Sequence, residues 1–149
     1  MERGVSPATS VPDREALGVS YRWVEHTAEL EMEIEAPTEE GVFVDALLAL
    51  AELLGDDGRG ACVLREIAIR GRERAALLVG WLDELVYIAE TEDLVPEDTV
   101  RIELSDGDLV ATVHCRRGSP RHLIKAATYH RLVFEPSGHG FRATVVLDV

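Results

Sequence analysis

Basic residues are scarce in this sequence: 15 Lys and Arg stand against 28 Asp and Glu in 149 residues, a net charge of −13. Tight binding of free nucleic acid needs clustered Lys and Arg on the phosphates, so this balance argues against it and leaves cations or a basic partner as better ligands. Cysteine is nearly absent too. Cys62 and Cys115 are far apart and belong to no CxxC pair, which excludes a zinc knuckle and a thioredoxin-type motif and predicts buried thiols in a reducing cytoplasm. Long apolar runs are missing: no window approaches about 18 uninterrupted apolar residues, so no membrane span is predicted. The first residues lack a basic start followed by an apolar run, so neither is a signal peptide. A soluble cytoplasmic protein is the expectation.

What is present fits one domain, since a chain of this length can bury about 68–70 % of the surface its unfolded form exposes. Residues 1–19, with Gly4, Ser6, Pro7, Thr9, Ser10, Pro12 and Gly18 and little periodicity, read as a flexible leader before a domain over 20–149. From Leu30 onward, Leu30, Met32 and Ile34 alternate with Glu29, Glu31, Glu33 and Glu35, the pattern of a strand with one face on a core. Glu29 falls where this strand meets the loop before it, beside His26 and Thr27. There it is either one ligand of a metal site or one more solvated glutamate.

Ala36-Pro37 closes the strand, because proline cannot donate to a ladder. Thr38 stands at an N-cap position with Glu39 and Glu40 behind it, and Phe43, Ala46, Leu47, Leu50, Ala51 and Leu54 form the stripe of a helix that Gly55 ends. Asp45 is expected to point outward. Asp56-Asp57-Gly58 lacks the alternate oxygens and distal glutamate of a calcium loop and is a turn. Cys62 to Gly71 predicts a short strand, and Arg74 to Glu92 a helix whose apolar side carries Leu77, Leu78, Trp81, Leu82, Leu85, Val86 and Ile88. Trp81 is expected in the core, and Asp83, Glu84, Glu90, Glu92 and Asp93 on a solvated face or end.

Residues 99–104 and 109–114 flank Ser105-Asp106-Gly107-Asp108 as a hairpin, with His114 and Cys115 on opposite faces and so unable to share a metal. Arg116, Arg117, Arg121 and His122, with Lys125 and Arg131, are the one basic cluster and could form a local anion site. Residues 126–135 predict a strand with Ala127 and Tyr129, and then Leu132 and Phe134 as the phase shifts, at its inward positions, followed by a turn at 136–140. A last strand over 141–149 ends its apolar run at Asp148.

These elements form one βαββ unit, residues 62–118, inserted within another. The fold class that follows is α+β, a two-layer sandwich of mainly antiparallel sheets covered by two main helices. Its first and last strands can be neighbours, which would bring Glu29 and Asp148 together. Two such carboxylates repel unless a cation lies between them, and a hard divalent metal suits oxygen ligands.

Three motifs in order resemble the archease family. They are His26-Thr27-Ala28-Glu29, where the family has a His-Thr-Ala-acid strand start, then Lys125-Ala126-Ala127-Thr128-Tyr129-His130, and Val146-Leu147-Asp148-Val149. Trp81-Leu82-Asp83-Glu84-Leu85 stands between the first two, and the likeness runs from about Tyr21 to the last residue.

The resemblance implies a non-catalytic activator of an RtcB-type RNA ligase, which seals tRNA halves and other broken RNAs. Such a protein helps the ligase become guanylylated at its own histidine and turn over repeatedly. The family's metal site, carried over, falls on Glu29, Asp148 and a main-chain oxygen of Val149, with calcium as the divalent ion. Its functional lysine falls on Lys125, with His26 and His130 as further partner-activating residues. The chain departs from the pattern in having Glu29 where many members have aspartate, and only Pro120-Arg121-His122-Leu123-Ile124 where many have a longer acidic segment before the lysine. The residues alone also admit a metal-dependent hydrolase using Glu29, Asp148 and His26, and a plain acidic interaction module.

Overall fold

The computed structural model describes residues 20–26, 29–55 and 59–149, with Glu25 and His26 described in their backbone only. The leader expected over 1–19 and the turn expected at 56–58 lie outside the described residues. In chain order the elements are β1 (Tyr21–His26), β2 (Glu29–Ala36), α1 (Glu39–Leu54), β3 (Cys62–Arg70), α2 (Arg74–Thr91), β4 (Leu94–Ser105), β5 (Asp108–Arg117), β6 (Ala126–Ser137) and β7 (Gly140–Asp148).

β1-β2-β7-β6 form one antiparallel sheet, here the outer sheet, and β3-β5-β4 form a second, the inserted sheet. The unit β3-α2-β4-β5 is therefore enclosed by the rest of the chain, and the α+β sandwich with one βαββ unit inside another is the observed fold. The nesting holds in topology but not in packing. α1 lies on β2 and on β4, and α2 lies on β6 as well as β4 and β3, so each helix joins the two sheets.

Local chemistry explains the helix ends. The backbone N–H of Gly41 donates to Thr38 Oγ1 at 3.0 Å, satisfying one of the donors a helix start leaves open, and Glu39 and Glu40 occupy the first turn. At the other end Gly55, at φ 66°, donates its N–H to the Ala51 carbonyl at 3.0 Å, a backbone shape that glycine adopts without penalty. α1 buries Val42, Phe43, Ala46, Leu47, Ala49, Leu50 and Leu54, a wider stripe than one sheet requires, because it serves two. Trp81 of α2 is fully buried. Its indole N–H donates to the Phe43 carbonyl at 3.0 Å, and its ring meets Phe43 edge-on with centroids 6.5 Å apart.

Five local expectations are corrected. Residues 21–26 form a strand rather than a loop: Tyr21 and Trp23 pair with Ile34 and Met32 on the core side, but Val24 on the opposite face breaks the alternation that would have revealed it. β4 starts at Leu94, five residues before the expected hairpin arm, and two register shifts at Pro96/Asp98 and Thr99/Arg101 scramble its period. Asp45 is buried, 4 % exposed, because α1 is covered on that side as well. Cys62 is exposed while Cys115 is buried. Tyr129 is 67 % exposed, because its part of β6 leaves the ladder. The phase shift expected in β6 is a break in pairing between Thr128 and Val133, with Arg131 at φ 56° inside it.

Candidate metal centre at one end of the outer sheet

Strand alternation places Glu29, Glu31, Glu33 and Glu35 on one face of β2, and the neighbouring strand decides what they meet. Across the β2–β7 ladder Glu29 pairs with Asp148, Glu31 with Val146, Glu33 with Thr144 and Glu35 with Arg142. Directly opposed residues share a face with Cβ atoms about 4.5–5.5 Å apart, so the Glu29 and Asp148 side chains leave the sheet together. The same level extends over the whole sheet: His26 pairs with Glu29 across β1–β2, and Ala126 with Asp148 across β6–β7. The strands that carry Glu29 and Asp148 are neighbours, as the nested arrangement allows.

Lys125 immediately precedes β6, and its backbone N–H donates to the Asp148 carbonyl at 2.8 Å. The lysine and the acid pair are thereby tied to one end of the sheet. Val149 follows and is exposed. His130 lies in the break of β6, exposed, with its N–H donating to Thr128 Oγ1 at 3.3 Å. The side chain of His26 is outside the described residues, so its relation to Glu29 rests on the backbone register.

Arg131 brings a cation to Glu29. Its Nη2 lies 3.4 Å from Glu29 Oε1 and 3.6 Å from Glu31 Oε1, and it reaches them from the break in β6. Val146, between Glu31 and Thr128 in register, is buried, yet it stands outside the main core cluster. Arg131 lies on Glu29 and Glu31, and Arg116 is hydrogen-bonded to Glu97 and to the Gly60 carbonyl, so these two members of the basic cluster are engaged by the protein's own acceptors.

Glu29, Asp148 and the main chain of Val149 offer oxygens, which suit a hard cation better than zinc or copper. Among the described residues no group of three or more His, Cys, Asp or Glu side chains is placed to hold a metal ion. Glu29 and Asp148 would thus need the main-chain oxygen of Val149 and solvent to complete a shell. The histidine and cysteine of β5 do not compete. His114 Nδ1 lies 2.9 Å from Asp98 Oδ1 on the open face of the inserted sheet, while Cys115 faces the core, where burial pushes its thiol up to about 11.

Two carboxylates have more specific surroundings than their sequence positions suggest. Asp83, on the solvent-side flank of α2, accepts the backbone N–H of Ala127 at 2.8 Å, and partial burial raises its pKa against that hydrogen bond. It caps an unpaired donor on an edge strand, two residues after Lys125. Its place within Trp81-Leu82-Asp83-Glu84-Leu85, next to the fully buried Trp81 and Leu82, was the only signal available. Asp45 accepts the Ser20 N–H at 3.4 Å, and burial pushes it up to about 6.

The family model described as "Archease protein family (MTH1598/TM1083)" matches residues 21–149. The "Protein archease" of Methanosarcina barkeri is 30% identical over 142 residues, covering 89% of this chain and 97% of that protein. Among solved structures, an archease from Thermotoga maritima, described as a "possible chaperone", aligns with a TM-score of 0.64 at 25% identity over 85% of this chain and 94% of its own. Protein 1598 of Methanobacterium thermoautotrophicum aligns with a TM-score of 0.65 at 25% identity, over 87% and 98% of the two chains. The match spans every strand and helix described above, including both members of the acid pair and the lysine beside them, and the chain belongs to the archease family.

Proposed function

We propose that this chain is a non-catalytic activator of an RtcB-type RNA ligase, promoting the ligase's guanylylation and repeated turnover in tRNA splicing or RNA repair. The observation that carries the reading is the register of β2, β7 and β6, which sets Glu29 against Asp148 and fastens the Lys125 backbone to Asp148 at one sheet end. Family membership and the likeness to a protein described as a possible chaperone support a role exerted on another protein. The net charge of −13 supports a partner with a basic surface, which complementary potential would help to find, and argues against tight binding of RNA itself.

In this reading Glu29, Asp148 and the Val149 main-chain oxygen hold a hard divalent ion, calcium as the family resemblance implies. A bound ion supplies positive charge that offsets two like-charged groups at a surface shared with the partner. The chain's own part is to hold the two carboxylates at fixed spacing across a ladder and to hold Lys125 next to them. Residues 20–149 carry this activity, and the leader 1–19 is dispensable for it.

The test is guanylylation of an RtcB-type ligase with and without this protein, in the presence and absence of divalent metal. Metal-dependent acceleration supports the reading. Hydrolysis of RNA or nucleotide by the purified chain alone would favour a metal-dependent hydrolase, and a complex with a basic protein and no effect on any ligase would favour an interaction module.

A further inference from the structure

The break in β6 has a second consequence for the acid pair. Tyr129, His130, Arg131 and Leu132 leave the β6–β7 ladder, and Arg131 takes a left-handed backbone, φ 56°, that costs a residue with a side chain roughly 1 kcal/mol or more. The excursion puts a guanidinium beside Glu29 and Glu31 at once. Both ion pairs are long and partly solvated, the arginine side chain being 42 % exposed, so each is weak and readily exchanged.

We propose that Arg131 is a built-in counter-cation that competes with the divalent ion for Glu29 and so sets the affinity of the site. The inference rests on the reading that Glu29 and Asp148 hold such an ion. A guanidinium 3.4 Å from Glu29 Oε1 and a doubly charged ion on the same carboxylate repel each other, so the ion binds only as Arg131 withdraws. Withdrawal does not strand the arginine, because its guanidinium already lies 3.6 Å from Glu31 Oε1. Without metal, Arg131 relieves the repulsion between Glu29 and Asp148. With metal, Arg131 rests on Glu31.

Calcium chloride alone is titrated calorimetrically, at fixed ionic strength, into the wild-type chain, Arg131→Asn, Arg131→Lys and Glu29→Gln. Asparagine tolerates the left-handed backbone and removes the charge, so circular dichroism should show an unchanged fold. The expected result is calcium binding about tenfold tighter in Arg131→Asn, within about twofold of wild type in Arg131→Lys, and severely weakened in Glu29→Gln. Unchanged or weaker binding in Arg131→Asn, with Glu29→Gln still losing it, overturns the competition while leaving the metal reading intact. No binding by the wild type or by Arg131→Asn overturns both.

Discussion

The carboxylate of Asp83, on the helix of the inserted unit, accepts the backbone N–H of Ala127 in the outer sheet at 2.8 Å. This bond spans the two interlocked units and holds the start of β6, where Lys125 and Ala126 flank the level of Asp148. Asp83→Ala should lower stability by about 1–2 kcal/mol, read as a shifted denaturant midpoint with the slope unchanged. Asp83→Asn, which keeps an acceptor oxygen, should lose less than half of that. Equal losses in the two variants would mean that the negative charge, and not the hydrogen bond, fixes the strand.

Asp45 predicts a particular pH dependence. Its pKa lies near 6 in the folded chain, raised by burial from an ordinary value of 3.8. The folded state therefore holds this proton more tightly than the unfolded state does. The stability it confers is complete below pH 3.8 and is lost as pH rises through 6. Between pH 4 and pH 7 the unfolding free energy of Asp45→Asn should gain on that of the wild type by about 2–3 kcal/mol. Denaturant titrations of both proteins at the two pH values measure it, and a constant difference would place Asp45 in water.

Trp81 combines volume with one hydrogen bond. Trp81→Phe should cost about 1–3 kcal/mol, because it removes the indole N–H that supplements the helical bond at the Phe43 carbonyl and shrinks the side chain; Trp81→Ala should cost about 3–5 kcal/mol by leaving a cavity between the helices. Thermal melts that order the two variants the other way would contradict this packing.

Gly140 opens β7 where it crosses the end of β2. A Cβ there would lie 2.3 Å from the Ala36 carbonyl oxygen and 2.8 Å from Pro37 Cα, both backbone atoms that cannot step aside. Gly140→Ala should destabilise the outer sheet by about 1–3 kcal/mol. A Tm within 1 °C of wild type would show that β7 can move away from β2.

Much of this architecture is legible in the residues, and the failures have physical causes. Thr38 and Gly55 mark the ends of α1 because a helix leaves donors and acceptors that particular side chains and backbone shapes satisfy, and such demands are local. Glu29 through Glu35 are legible because one face of β2 is wet. β1 escaped because Val24 is apolar on the wet face, and the front of β4 because its register shifts spoil any fixed period. Asp45 and Asp83 escaped for another reason. Their surroundings are built by residues distant in sequence, Ser20 and Ala127, and no pattern along a helix records what a remote strand brings to it. The reach of Arg131 to Glu29 and Glu31 belongs to the same class, since it depends on a break in β6 that lifts the arginine across the sheet.

Lys125 should matter without holding the fold together. Its described link to the acid pair is through its backbone N–H, which substitution does not remove. Lys125→Ala should keep the wild-type melting temperature within about 2 °C and the calcium affinity within about threefold. Its effect on ligase guanylylation should nevertheless be a loss of at least about tenfold, equivalent to one ordinary charge-assisted contact with the partner. A variant with full activating power would remove the lysine from the account.

The central claim is that two acids, paired across β2 and β7, serve the activation of another protein. It is tested most directly by the rate of ligase guanylylation at saturating calcium, with the wild-type chain and with Asp148→Ala. The account predicts that the variant folds, as its circular dichroism would show, and leaves the ligase at its unassisted rate. Acceleration by Asp148→Ala equal to that of the wild type would contradict it.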